Sequence, residues 1–108
     1  MPPVLLSTDA LAAALATLPA WSVDGGELVR SYQFADFATA FRWLAKAGEI
    51  AEEHAHHPDG SWTWGKVNIR MSTHDAGGLT ARDIRLARAL DRLSAAPTDA
   101  HLDTPDQR

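Results

Sequence analysis

The chain is 108 residues long and 45% hydrophobic, which fits one globular domain with a modest core, and its 10 Lys and Arg against 14 Asp and Glu give a net charge of -4. That balance exerts no overall pull toward nucleic acid, so no direct nucleic-acid binding is expected. The absence of cysteine excludes disulfides and thiolate metal sites and makes a cytoplasmic address the default. No apolar run approaches the roughly 18–20 residues of a membrane span, and the N-terminus lacks the basic leader of a signal peptide.

In chain order, Ser7, Thr8 and Asp9 are good helix caps. Leu11, Leu15 and Leu18 follow at helical spacing, and Pro19 ends the segment. Residues 21–34 carry an Asp-Gly-Gly turn between two short runs. They predict a β-hairpin with Leu28, Arg30, Tyr32 and Phe34 on one face and Val29 opposite. Asp36 caps a long helix expected to run to about His56. Its main stripe is Phe37, Phe41, Leu44, Gly48 and Ala51, assigned to the sheet. Pro58 disfavours helical dihedrals at His57 and stops the helix there.

Residues 61–73 then read as strand, breaking near Gly65-Lys66, with Val67, Ile69 and Met71 alternating against Lys66, Asn68, Arg70 and Ser72. After the break at residues 75–78, Thr80-Ala-Arg-Asp83 is a capping box opening a last helix with Leu86, Leu90 and Leu93 on one side. The order predicts an α+β domain over residues 1–96: a four-stranded antiparallel sheet with helices packed on one face. Residues 97–108 lack periodicity and are expected to be a disordered tail.

Three of the five histidines crowd into His54-Ala-His56-His57. A metal cage, a proton-transfer site and a solvated helix end all fit that crowding. Helical spacing sets Glu52 one turn before His56, and Glu53 one turn before His57. A carboxylate beside an imidazole fixes its tautomer and favours its charged form, as does a helix C-terminus. Against a metal site, His54, His56 and His57 share no helical face, and no HExxH spacing occurs. His74 falls at the polar parity of Arg70 and Ser72, just before a flexible turn, where sites are often built.

Taken together, these residues resemble the pterin-4a-carbinolamine dehydratases. The resemblance rests on Glu52-x-x-x-His56-His57-Pro58-Asp59, Lys66-Val67 and the run from Ser72-Thr73-His74-Asp75 through Thr80-x-Arg82-Asp83. Upstream it extends through Trp21, Asp24-Gly25 and Phe34-x-Asp36-Phe37, so it covers roughly residues 8–95. It implies a dehydratase working without metal or organic cofactor, which removes water from 4a-hydroxytetrahydropterin to give the quinonoid dihydropterin. The family's catalytic histidines fall on His56, His57 and His74, with His56 and His74 expected to move protons and His57 mainly to bind the pterin. Glu52 is expected to orient His56 or bond the pterin's donor-rich edge. Asp83 is assigned either to the substrate or to the helix cap. The family usually carries a bulky apolar residue where this chain has Gly60, which makes Trp62 or Trp64 the candidate pocket wall. The resemblance also implies a non-catalytic alternative, since relatives act as transcriptional cofactors or assembly factors.

The long helix suggests a partner surface. Trp43 and Ile50 fall roughly opposite the main stripe, and a second apolar stripe marks a contact face. Because these dehydratases form dimers and tetramers, a homo-oligomer with Trp43 and Ile50 buried between long helices is expected.

Overall fold

The computed structural model describes residues 3–95. Helix α1 (Thr8–Ala16) opens on Ser7, whose side chain accepts from the Ala10 N–H. Strands β1 (Ser22–Asp24) and β2 (Glu27–Gln33) form a hairpin closed by Gly25 and Gly26, both in the left-handed region that a tight two-residue turn demands. Helix α2 (Phe37–Glu53) starts at Asp36, whose carboxylate accepts from the Thr39 N–H. Strands β3 (Asp59–Thr63) and β4 (Lys66–Met71) form a second hairpin. Gly65 in its turn is held so close to Phe34 that a Cβ there would lie 2.5 Å from the Phe34 carbonyl oxygen. Helix α3 (Ala81–Ala95) closes the described chain.

The sheet order is β1-β2-β4-β3, antiparallel throughout, with β2 joined to β4 from Leu28–Met71 to Gln33–Lys66. The alternation read from the sequence sorts the faces: Leu28, Tyr32, Val67, Ile69 and Met71 are buried, while Ser31, Asn68 and Ser61 line up across the opposite, polar face. The capping box is also present, with Asp83 accepting from the Thr80 N–H and Thr80 Oγ1 from the Arg82 N–H. The predicted tail at residues 97–108 lies outside the described residues.

The long helix is rotated from its expected setting. Its sheet-facing stripe is Ala40, Trp43, Ala47 and Ala51, and Trp43 is 1% exposed. Three alanines let the backbone approach the sheet closely, and the one indole fills the remaining space, 4.3 Å from the Tyr32 ring and 5.4 Å from Phe34. Phe37 and Phe41 are half exposed and stack on Trp62 of β3, at 3.9 and 5.0 Å. Trp43 is therefore core and not a partner surface, and Ile50 packs at the core's margin.

Helix α3 is pinned to the sheet by one carboxylate. Asp91 Oδ1 accepts from Trp21 Nε1 (2.9 Å), Arg30 Nη1 (2.6 Å) and the Tyr32 hydroxyl (2.5 Å). Burial, then the hydrogen bond to Asp91, pushes the Tyr32 hydroxyl well above the ordinary phenol range.

Candidate active site

The helix stops three residues short of the expected end, and that stop makes the site. His54 caps α2, and Ala55 takes a left-handed φ of 51°. The Ala55 N–H reaches the Glu52 carbonyl (3.0 Å) and the His56 N–H reaches the Ala51 carbonyl (3.1 Å). This is the helix-terminating pair usually built on glycine. The reversal sends the two adjacent histidines in opposite directions. His56 turns inward and is 7% exposed, while His57 stays at the surface.

The carboxylate pairing differs from helical expectation for the same reason. Past the end of the helix the four-residue spacing no longer applies, so Glu52 meets His57, with Oε1 and Nε2 2.9 Å apart, and not His56. This pair is largely exposed and contributes little to stability. His56 instead meets Asp83, 27 residues later, with Nε2 2.6 Å from Oδ1. Asp83 is fully buried and also accepts from the Thr80 N–H and Thr73 Oγ1, each at 2.9 Å. Asp83 therefore both caps α3 and meets His56, from a fully buried position.

Beyond Met71 the chain leaves β4 through Ser72 and Thr73 into a single 3-10 turn, His74–Ala76. Gly77 closes it at φ 75°, and the Thr73 N–H bonds the Gly78 carbonyl. His74 projects from this turn. The end of α2, the exit of β4 and the start of α3 together bound a cleft of about 350 Å³ lined by Ala55, His56, His57, Ser72, Thr73, His74, Asp75 and Arg82. All three predicted histidines line it. Trp64 does not: it is 79% exposed in the β3–β4 turn, at the end of the hairpin remote from His57. Trp62 is engaged with Phe37 and Phe41. Gly60 lines a separate, mostly apolar hollow of about 200 Å³ behind His57 and Pro58.

Among the described residues no group of three His, Asp or Glu side chains is gathered for a metal ion. Thr73 lay within the motif run read from the sequence, but no local pattern gave its side chain a role. Thr80 was visible only as a cap. An α+β domain with three imidazoles around a polar cleft, one braced by a buried carboxylate, has the outfit of an acid–base enzyme.

Comparison with known proteins makes the class specific. The family described as Pterin 4 alpha carbinolamine dehydratase matches residues 4–93. Two relatives named after pterin-4-alpha-carbinolamine dehydratase are similar over most of their length. The protein from Rhizorhabdus wittichii is 42% identical, covering 82% of this chain and 94% of its own. The one from Afipia carboxidovorans is 43% identical, covering 84% and 93%. The crystal structure of a transcriptional coactivator/pterin dehydratase from Brucella melitensis superposes with a TM-score of 0.79 at 35% identity, covering 83% of this chain and 98% of that one. The chain belongs to the pterin-4-alpha-carbinolamine dehydratase family, and as such is a dehydratase, a hydro-lyase.

Proposed function

We propose that the protein dehydrates 4a-hydroxytetrahydropterin to the quinonoid dihydropterin by histidine acid–base catalysis, in recycling of a pterin cofactor. The observation that carries this reading is the convergence of His56, His57 and His74 on one cleft. Hydroxide is a poor leaving group at neutral pH, so an acid must protonate the C4a oxygen as the C–O bond breaks. The N5 lone pair supplies the electrons, and a base must then take the N5 proton. One proton goes on and one comes off, so the reaction is neutral overall. Histidine suits both ends because its ordinary pKa lies near the working pH. His56 and His74 are the proton-transfer pair, and His57 with Glu52 binds the donor-rich edge of the ring. No separate cofactor is assigned, and the reaction is placed in the cytoplasm. The half-exposed Phe37 and Phe41 support a homo-oligomer through that face of α2.

Stopped-flow dehydration with wild type, His56→Ala and His74→Ala tests this. Each substitution should lower the rate about 100- to 10,000-fold, the usual worth of a general acid or base. Wild-type rates in both would refute the assignment. A second reading, an interaction protein without catalysis, draws on the Brucella relative's description as a coactivator. Wild-type protein that fails to exceed the spontaneous rate would favour it.

A further inference from the structure

We infer that Thr73 is a positioning residue: through Asp83 it holds His56 as the Nε2–H tautomer, so that Nδ1 is the nitrogen that exchanges protons with the substrate. The chemical consequence rests on the proposed reaction, whereas the tautomer does not.

The inference follows from counting protons along a buried chain of hydrogen bonds. A backbone N–H can only donate, so the Arg82 N–H donates to Thr80 Oγ1 at 3.2 Å. Thr73 Oγ1 donates to Asp83 Oδ2 at 2.9 Å. A hydroxyl has one proton, so Thr73 has none left for its 2.7 Å contact with Thr80 Oγ1. There Thr80 must donate and Thr73 accept. The Thr80 N–H also points into Oδ2. Every donor in the set therefore runs one way and ends on the same carboxylate oxygen. Thr73, Thr80 and Asp83 are 3%, 2% and 0% exposed, so water does not scramble this polarity.

Asp83 also occupies the first turn of α3, where the helix dipole favours a negative charge. With Oδ2 accepting twice and the group ionised, Oδ1 is an acceptor as well. The partner 2.6 Å away, His56 Nε2, must then carry the proton. Neutral imidazole has one N–H, so Nδ1 carries the free lone pair. Nδ1 has no hydrogen-bond partner among the described residues and is not one of their buried unpaired atoms, and His56 is one of the residues that line the cleft. When Nδ1 takes a proton, the cation that forms lies against the Asp83 carboxylate. Thr73 also ties the two proton-transfer groups together. Its side chain sets the His56 pair, while its backbone N–H closes the turn that carries His74.

The test is multiple-bond proton–nitrogen NMR of the full chain, ligand-free and 15N-labelled at histidine, with His56 assigned from the spectrum of His56→Gln. The expected wild-type signature is a protonated Nε2 and an unprotonated Nδ1. Thr73→Val, nearly isosteric but without the hydroxyl, should mix the tautomers and speed exchange of the Nε2 proton, and Thr73→Ser should restore both. In the dehydration assay Thr73→Val should lower kcat on the order of tenfold with little change in KM. A protonated Nδ1 in wild type overturns the inference, and that spectrum decides even if Thr73→Val does not fold. A folded Thr73→Val with the wild-type His56 signature also overturns it. The predicted tautomer in a protein that catalyses no dehydration would uphold the inference and refute the reaction.

Discussion

Replacement of Trp43 by alanine separates a core role from a partner-facing one. The indole is 1% exposed and packs on Tyr32 and Phe34, with Ala40 and Ala47 beside it on the same helix. These neighbours are either small or held by the sheet, so the space cannot close by relaxation. The expected cost is then at the full value for a large buried aromatic, about 3–5 kcal/mol. Against the usual domain stability of about 5–15 kcal/mol, that is about a fifth of the total at the least. Trp43→Phe should behave very differently. The indole Nε1 is buried without an acceptor among the described residues, and removing an unpaired N–H recovers about 1–3 kcal/mol of desolvation penalty. That gain offsets most of the lost ring area, leaving a net change of about 1 kcal/mol or less. Urea unfolding followed by far-UV circular dichroism measures both variants. A Trp43→Ala loss below about 1 kcal/mol, together with a lower mass by light scattering, would show that the residue works between subunits.

Tyr32 is the chain's only tyrosine, so alkaline absorbance titration reads it alone. Its folded pKa is raised by burial and by Asp91, so its contribution to stability is complete below the ordinary phenol value near 10 and is lost as pH rises beyond it. Tyrosinate should therefore appear only together with unfolding, and a normal titration in native protein would refute the Asp91 network. Ala55→Gly should stabilise the chain by about 0.5–1 kcal/mol in urea unfolding, because relief of left-handed strain exceeds the entropy cost of glycine; a destabilised variant would contradict the backbone reversal. Activity should survive exhaustive dialysis against EDTA, and a loss restored by added metal would overturn the metal-free reading. Phe41→Glu should lower the mass seen by light scattering, and an unchanged mass would remove that face from any subunit contact.

Much of this was legible because the relevant signals are local. The Asp-Gly-Gly turn, the alternation along β4 and the T-x-x-D box each depend on a few adjacent residues, and all three are present in the structure. The rotation of α2 was not legible. Its two apolar stripes overlap, and bulk favoured Phe37 and Phe41, whereas close helix–sheet approach selects Ala40, Ala47 and Ala51 around a single large side chain. The Glu52–His57 pairing was hidden by one dihedral, since spacing rules hold only while the helix lasts and Ala55 ends it. The histidines themselves could be found from their motif. The His56–Asp83–Thr73 connection could not, because it joins α2's exit, β4's exit and α3's first turn, which only the completed fold brings together.

The order of strands also bears on how the molecule comes into being. Each hairpin closes over two residues, at Gly25-Gly26 and Trp64-Gly65, and such closures take about 1–10 μs. The seam between them is of another kind, since β2 meets β4 only after the chain has passed through all of α2, as in the pairing of Leu28 with Met71. Loop-closure entropy opposes that seam until α2 lies over the nascent sheet. His56 stands at the entrance to the second hairpin and Asp83 beyond its exit, so that hairpin draws them toward each other and the packing of α3 against α2 completes their contact. The candidate cleft thus draws all its lining residues from the flanks of the second hairpin and the start of α3, a stretch of chain to which the first hairpin contributes nothing.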